Sequence, residues 1–325
     1  MDKMKAVICT NYGPPEVLQY REVEKPVPQD QEVLIKIRAT TVTVADYRVR
    51  SFTVPAAFWI PARITLGIRK PKKNILGVEL AGEVEAVGQA VKRFKPGDSV
   101  FAATLTNFGA YAQYICLPEA GPIALKPPTI SYEQAAAIPI GARTALHYLK
   151  KAAIQPGQNV LIYGASGSVG TYALQLAKLF GAKVTGVCST RNVELVKSLG
   201  ADQVIDYTQV DFTQSGVVYD VIFEAVDKSS FSDCVRVLKK DGLYVNVTTP
   251  VPSIPMQWAL LTSRKKVLLS QNVPDKVEDL LWLSQLVETG QLKVVIDRSY
   301  PFEQIVEAHR YVEQGHKRGN VVITL

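Results

Sequence analysis

The residues best suited to chemistry lie in a glycine-rich stretch at positions 161–170, LIYGASGSVG, which follows a predicted strand and begins a predicted helix over 169–180. In this context Gly167 lets the backbone approach a pyrophosphate, and Gly170 lets the helix pack closely on the strand. Backbone N–H groups at the start of the helix then face the phosphates. The pattern predicts a dinucleotide site, although Ala165 replaces the first glycine of the usual fingerprint.

The second predicted strand, 183–188, indicates which dinucleotide is bound. Enzymes that use NAD usually end this strand with Asp or Glu, whose carboxylate holds the ribose 2′-hydroxyl. Here the strand ends at Cys188, and no carboxylate occurs before Glu194. Ser189 and Arg191 offer instead a hydroxyl donor and a guanidinium, which suit a 2′-phosphate. We therefore expect NADPH as the coenzyme.

Elements of two kinds must position these residues. Strands and helices alternate in the second half of the chain, with strands predicted over 159–163, 183–188, 203–206, 217–224 and 242–247 and helices over 169–180, 192–199 and 231–238. This alternation implies a parallel sheet with right-handed crossovers. The first third has short strands punctuated by Pro and Gly, over 32–38, 82–87, 99–102 and 111–117. They predict an antiparallel, partly closed β-domain. Helical spacing over 131–149, 277–288 and 302–314 and a closing strand over 320–325 complete the mixed α/β pattern.

Composition narrows the class of protein. A chain of 325 residues is expected to form two domains. The net charge is +7, but the basic residues are dispersed and not interleaved with aromatics, so we expect no nucleic-acid partner. The four cysteines have no close spacing, which favours reduced thiols in the cytoplasm. We expect no membrane span, since no stretch of about 18 uncharged apolar residues occurs.

Further motifs carry a resemblance to a known family. The stretches 76–88 (LGVELAGEVEAVG) and 94–100 (FKPGDSV), with the loop 164–170 and the ending 319–322, are similar to the medium-chain dehydrogenase/reductase superfamily. The branch most resembled is the zinc-free, quinone oxidoreductase-like one. The resemblance implies a GroES-like β-rich substrate domain over 1–122, a Rossmann domain over 123–271 and a return segment over 272–325. It also implies a homodimer formed through edge strands of the Rossmann sheets.

The resemblance also bears on metal binding. Thr43 matches the catalytic cysteine of the zinc-dependent members, and Val78 matches their histidine. Neither side chain is a useful zinc ligand. A structural zinc lobe would need four close cysteines after Val100, and only Cys116 is present there. We therefore expect no metal.

Without a Lewis acid, the chemistry favours an electron-poor acceptor such as a quinone or an α,β-unsaturated carbonyl, which spreads the charge of the hydride onto an oxygen. The resemblance places Thr43, Asp46 and Tyr47 near this substrate. Tyr47 could donate a hydrogen bond to its oxygen, or could form an apolar wall. Two alternatives stay open: a zinc-type alcohol dehydrogenase, and a non-catalytic NADPH-binding sensor or nucleic-acid-binding protein.

The resemblance assigns the coenzyme to residues that follow the predicted strands. Thr144 is expected near the nicotinamide, and the tail contributes Arg318 and Asn320. The other expected contacts are Gly164, Ala165, Ser166, Gly167, Ser168, Val169, Gly170, Ser189, Arg191, Asn192, Tyr207, Ala225, Val226, Asn246, Thr248, Leu269, Ser270 and Gln271.

The segment 52–73 departs from the shorter loop of simple quinone oxidoreductases. It contains Phe58, Trp59, Ile60, Ile64 and Leu66, followed by a basic run. An apolar helical lid over the substrate is one interpretation. A dimer contact and a peripheral membrane contact are the alternatives.

Overall fold

A computed structural model describes residues 2–54, 58–104, 107–262 and 266–325. The chain divides into two compact units, here called the β-unit (Met1–Ile140, Asp275–Thr289 and Ile296–Leu325) and the nucleotide unit (Gly141–Pro274 and Gly290–Val295). The first boundary therefore falls at residue 140, whereas the sequence analysis placed it at 122. The helix at Tyr132–Ala136 stays with the β-unit because it packs on strands of that unit.

The described strands are, in chain order, β1 (Lys3–Cys9), β2 (Leu18–Glu24), β3 (Glu32–Thr41), β4 (Glu79–Val87), β5 (Ser99–Ala103), β6 (Tyr114–Pro118), β7 (Ile123–Leu125), β8 (Asn159–Tyr163), β9 (Lys183–Cys188), β10 (Gln203–Asp206), β11 (Tyr219–Glu224), β12 (Leu238–Asn246), β13 (Lys266–Leu269), β14 (Ile296–Pro301) and β15 (Asn320–Thr324). The α-helices are α1 (Val44–Ser51), α2 (Trp59–Leu66), α3 (Tyr132–Ala136), α4 (Gly141–Ala152), α5 (Ser168–Leu179), α6 (Val193–Ser198), α7 (Phe231–Val237), α8 (Ile254–Thr262), α9 (Val277–Glu288) and α10 (Ile305–Glu313).

The nucleotide unit is built on a parallel sheet with the order β10-β9-β8-β11-β12-β13. The chain enters the sheet at the central strand β8 and adds β9 and β10 on one side. It then crosses back and adds β11, β12 and β13 on the other side. This is the order of a doubly wound Rossmann fold, in which a ligand binds beyond the carboxyl ends of the strands where the direction of winding reverses. The reversal here lies between β8 and β11. The sequence-based prediction of this fold class is confirmed.

Buried apolar residues explain why β8 lies at the centre of the sheet. Val160, Leu161 and Ile162 are fully buried, as expected for a strand covered on both faces. Gly186 in β9 allows close packing, since a Cβ there would lie 2.5 Å from Val196 of α6.

The β-unit contains a seven-stranded sheet with the order β14-β15-β3-β4-β5-β7, and β6 pairs with β3. Its strands are antiparallel except for the β14–β15 pair. The carboxy-terminal strand β15 pairs with β3, so the tail is part of the sheet of this unit. The separate ribbon β1–β2 packs nearby through bridges from Ala6 and Ile8.

One helical stretch differs from the prediction. Residues 131–149 form two helices, α3 and α4, because Pro139 lies between them and cannot continue a helix. No helix in the described ranges combines the length and apolar character required to cross a membrane.

Candidate active site

The glycine-rich loop connects β8 to α5 in a tight turn. Gly164 has φ +81°, a backbone conformation that favours glycine. A Cβ on Gly170 would lie 2.1 Å from the carbonyl oxygen of Gly164, so the helix can begin this close to the strand only with glycine at 170. Gly167 caps the helix without a side chain. The loop therefore fits a pyrophosphate held by backbone N–H groups.

The parallel topology brings many of the predicted coenzyme residues to one edge of the sheet. Five strands, β8, β9, β11, β12 and β13, end on that edge and are followed by Gly164, Ser189, Ala225, Val247 and Ser270. Thr248 lies one residue further along the chain, and its hydroxyl donates to the Asn246 side chain at 2.8 Å.

Asn192 links the glycine-rich loop to the loop after β9. Its Nδ2 donates to the hydroxyl of Ser166 at 2.9 Å and lies 3.3 Å from that of Ser189. The Asn192 side chain is buried, and its Oδ1 has no hydrogen-bond partner among the described residues. These three predicted coenzyme residues thus form one polar cluster with an unused acceptor, which fits a site for a polar ligand.

The loop after β9 also meets a carboxylate that the sequence analysis did not consider. The hydroxyl of Thr190 donates to Asp206, at the end of β10, over 2.5 Å. Hydrogen bonds from Thr190 and Thr208 lower the pKa of this carboxyl. Asp206 lies on the next strand of the sheet, 16 positions further along, so that only the parallel pairing of β9 with β10 reveals it. Arg191 and Tyr207, both exposed, lie beside these residues in the chain.

A buried carboxylate, Glu224, shapes the loop after β11. Glu224 accepts hydrogen bonds from the backbone N–H groups of Val226 at 2.8 Å and Asp227 at 2.9 Å. Burial raises the pKa of Glu224. The loop places Val226 against the turn, because a Cβ on Gly164 would lie 2.6 Å from the Val226 side chain. Ala225 and Val226 therefore lie next to the glycine-rich loop.

The remaining predicted contacts of the nucleotide unit flank α4. The helix begins close to the loop, since a Cβ on Gly141 would lie 2.8 Å from the hydroxyl of Ser168. Thr144 is half-buried in the first turn of α4. Further along the helix, the Tyr148 hydroxyl accepts from the backbone N–H of Gln271 at 2.5 Å, which fixes the chain after β13.

In the β-unit, Thr43 and Asp46 form a capping box at the start of α1. The carboxylate of Asp46 accepts from the N–H of Thr43 at 2.8 Å and from its hydroxyl at 2.7 Å. The other carboxylate oxygen accepts from the N–H of Gly77 at 3.1 Å, so Asp46 ties α1 to the segment before β4. Burial raises the pKa of Asp46 to about 6. Tyr47, the next residue, is half-buried and packs against a hydrophobic cluster.

A buried Tyr–His pair lies next to this box. Tyr111 and His309 are fully buried, and the His309 Nε2 lies 3.2 Å from the Tyr111 hydroxyl. Burial raises the pKa of Asp46, and a hydrogen bond from the Tyr111 side chain lowers it in part. Tyr111 carries no local signal in the sequence, because its partner His309 lies 198 residues away.

Glu79, at the start of β4, is the centre of a second buried network. One carboxylate oxygen accepts from the Thr41 hydroxyl, and the other accepts from the N–H of Ile140 at 2.7 Å. Burial raises the pKa of Glu79 to about 7. Burial also lowers the pKa of Lys317, in the tail, to about 8, although nearby Glu79 opposes this shift. In the same tail, Asn320 is buried and the N–H of Arg318 donates to Asp297.

The residues present do not fit a catalytic zinc ion. The Thr43 hydroxyl donates to Asp46, and Val78 is a buried apolar residue. Across the described ranges, no three His, Cys, Asp or Glu side chains are grouped as a metal site would require.

The fold and these clusters define the class of protein. A doubly wound parallel sheet with a glycine-rich turn, joined to a separate GroES-like β-unit, is the architecture of a two-domain oxidoreductase that uses a nicotinamide dinucleotide.

Comparisons with known proteins agree with this class of two-domain oxidoreductase. A model of the alcohol dehydrogenase GroES-like domain matches residues 29–128, and one described as zinc-binding dehydrogenase matches 199–323. The chain is 35% identical to the chloroplastic quinone-oxidoreductase QR1 of Triphysaria versicolor, over 98% of each chain. It is 32% identical to the chloroplastic NADPH-dependent alkenal/one oxidoreductase of Arabidopsis thaliana, over 99% of this chain and 79% of the relative. The structure of the quinone oxidoreductase from Coxiella burnetii superposes with a TM-score of 0.89 at 30% identity, over 100% of both chains.

The chain therefore belongs to the medium-chain dehydrogenase/reductase family, in its quinone oxidoreductase branch. The family prediction is confirmed.

Proposed function

We propose that this oxidoreductase transfers hydride from NADPH to a quinone or an α,β-unsaturated carbonyl without zinc. The observation that carries the proposal is the composition of the sheet edge after β8 and β9. A backbone cradle for a pyrophosphate is joined there, through Asn192, to a loop containing Ser189 and Arg191. Two of the relatives are named for quinones and for NADPH with alkenals or enones, which agrees with this choice.

The preference for NADPH rests on charge. Cys188 stands at the end of β9, where a carboxylate would repel a 2′-phosphate, and burial raises the pKa of its thiol to about 11. The nearby carboxylate is Asp206, on the neighbouring strand. Its oxygens accept hydrogen bonds from the hydroxyls of Thr190 and Thr208, so both are engaged by the protein itself. Arg191 supplies the positive charge for the phosphate.

The chain's own groups match an acceptor that needs little activation. Bound NADPH would supply the hydride. As the hydride reaches a quinone carbon or the β-carbon of an enone, negative charge develops on the conjugated oxygen, and a hydrogen-bond donor stabilises it. We assign this donation to the Tyr47 hydroxyl, because the Thr43 hydroxyl donates to Asp46. Asp46 then acts as a positioning residue that fixes the start of α1, and solvent supplies the final proton.

The proposal includes a homodimer in the cytoplasm. The free thiols Cys9, Cys116, Cys188 and Cys234 suit a reducing compartment. The outer position of β13 in its sheet leaves an edge suited to pairing with a second copy. Light scattering of the purified protein tests the dimer: twice the monomer mass supports it, and the monomer mass contradicts it.

The experiment that tests the function is steady-state oxidation of NADPH and of NADH by chelator-treated protein, with quinones, 2-alkenals, enones and simple aldehydes as acceptors. Turnover of quinones or enones with a preference for NADPH supports the proposal. Coenzyme binding without turnover would favour a sensor, and activity that returns only with added zinc would favour an alcohol dehydrogenase.

A further inference from the structure

A group of exposed apolar side chains projects from α2 and the turn that follows it. Trp59 is 50% exposed, Ile60 67%, Ile64 65% and Ile68 75%. Single exposed apolar residues are ordinary on protein surfaces, but four within ten consecutive positions form a patch, and such patches mark interaction sites. We call residues 59–73 the α2 face.

Basic side chains adjoin this apolar patch. Arg69, Lys70, Lys72 and Lys73 are all exposed. No Asp or Glu occurs between Asp46 and Glu79, so the sequence supplies no local counter-charge. Residues 67–72 and 74 line an open depression of about 710 Å³, which places three of these basic residues around one concave surface.

The turn that carries the basic residues is held in a defined conformation. Gly67 has φ +129°, and a Cβ there would lie 2.1 Å from the carbonyl oxygen of Lys70. The N–H of Lys72 donates to Leu66 at 2.7 Å, and its ammonium donates to the carbonyl of Ile64 at 2.7 Å. The turn therefore presents its cations next to the exposed isoleucines.

The helix itself is fastened by an arginine. The Arg63 guanidinium lies 3.8 Å from the ring centroid of Phe52, 4.8 Å from that of Trp59 and 4.9 Å from that of Tyr12. Such cation–π contacts hold α2 against the body of the β-unit. Arg63 therefore faces the body of the β-unit, whereas Ile60 and Ile64 of the same helix are exposed.

We propose that the α2 face docks the protein on the surface of an anionic lipid bilayer. Trp59, Ile60 and Ile64 enter the region between headgroups and acyl chains, and the basic residues contact lipid phosphates. A short helix with exposed apolar residues and neighbouring Lys and Arg is suited to this interface, since apolar burial and electrostatic attraction act together. Indole rings favour the same depth. This inference is independent of the proposed catalytic function.

The test is co-sedimentation of the full-length protein with vesicles of phosphatidylcholine alone or of phosphatidylcholine with phosphatidylserine, at low and high salt. We expect binding to the phosphatidylserine vesicles that weakens with salt. Neutralising two cations in K70Q/K73Q should lower the partition coefficient by about 25-fold, at roughly fivefold per charge. I60S/I64S should lower it by about tenfold or more.

Matched controls separate the α2 face from general effects. K92Q/K95Q removes two exposed charges elsewhere in the β-unit, and V27S alters a side chain that is 82% exposed. Both controls should bind vesicles like the unchanged protein, and thermal unfolding should show all variants folded. Equal binding to both vesicle types, or binding that survives both α2-face variants, would overturn the proposal. The proposal would also be overturned if the unchanged protein did not bind the vesicles and its α2 face instead captured poly-glutamate or a second copy of the chain.

Discussion

Gly170 lies against the carbonyl oxygen of Gly164, so closely that a methyl group on Gly170 would stand 2.1 Å from that oxygen. The neighbouring Gly167 is different, because its φ is −81° and a Cβ there would meet its nearest neighbour only at 3.5 Å. Protein packing therefore requires glycine at 170 but not at 167.

This difference predicts two distinct outcomes. Gly170→Ala should lower the free energy of unfolding by about 1–3 kcal/mol, because backbone must move to admit the methyl group. Gly167→Ala should cost less, at most about 1 kcal/mol for replacing a glycine N-cap by alanine, but should weaken NADPH binding by about tenfold or more if the pyrophosphate binds at this turn as proposed. Urea denaturation and coenzyme titration measure the two effects. Unchanged NADPH affinity in Gly167→Ala would argue against this phosphate site.

Arg191 should determine the preference for NADPH. Arg191→Ala should lower kcat/KM for NADPH by about 10- to 100-fold, the value of a charge-assisted phosphate contact, and change kcat/KM for NADH much less. Arg236→Ala is the control, because Arg236 is an exposed arginine of the same unit that pairs with Asp233. An equal loss with both coenzymes would show that Arg191 does not contact the 2′-phosphate.

Tyr47 should act on the acceptor and not on the coenzyme. Tyr47→Phe removes a hydrogen-bond donor, and kcat/KM for an enone should fall by about 10- to 100-fold while the Kd of NADPH stays the same. Tyr20→Phe provides the control, since Tyr20 lies on β2 in the same unit. Tyr47→Phe with undiminished turnover would instead assign this ring to the apolar wall of the pocket.

Glu79 should make stability depend on pH. Because burial raises its folded-state pKa from 4.5 to about 7, the folded state holds a proton that the unfolded state has released between these values. The contribution of Glu79 is therefore most favourable below pH 4.5 and is lost as pH rises through 7, by about 3 kcal/mol in all.

The Glu79→Gln variant isolates this effect, because the amide keeps a hydrogen-bonding group between Thr41 and Ile140 and does not titrate. Urea denaturation of both proteins at several values from about pH 4.5 to 7 should show the variant gaining stability relative to the unchanged protein as pH rises. A constant difference across this range would show that Glu79 stays charged in the folded protein.

Local patterns predicted most of the nucleotide unit. The strands β8, β9 and β10 have the predicted bounds, because buried strands bounded by turn residues give a strong signal. The glycine-rich loop was predicted for the same reason, since its spacing reflects local backbone geometry. The division of 131–149 into two helices could also have been predicted from Pro139.

Contacts between distant parts of the chain could not be predicted in this way. Ile140 meets Glu79 across 61 positions, and His309 meets Tyr111 across 198. Asp206 approaches Thr190 only because β9 and β10 pair in one register. Such partners depend on which strands become neighbours, and a single sequence carries no periodicity that encodes this choice.

In the proposed reaction, hydride passes directly from NADPH to an electron-poor acceptor without a metal. We would incubate metal-stripped protein with NADPH deuterated at the transferable C4 position and with 2-cyclohexenone, and locate the deuterium in the product by mass spectrometry and NMR. We expect one deuterium at the β-carbon, in product formed by protein that carries about one metal ion per hundred chains or fewer. A product without deuterium at that carbon, or formed only after zinc is restored, would contradict it.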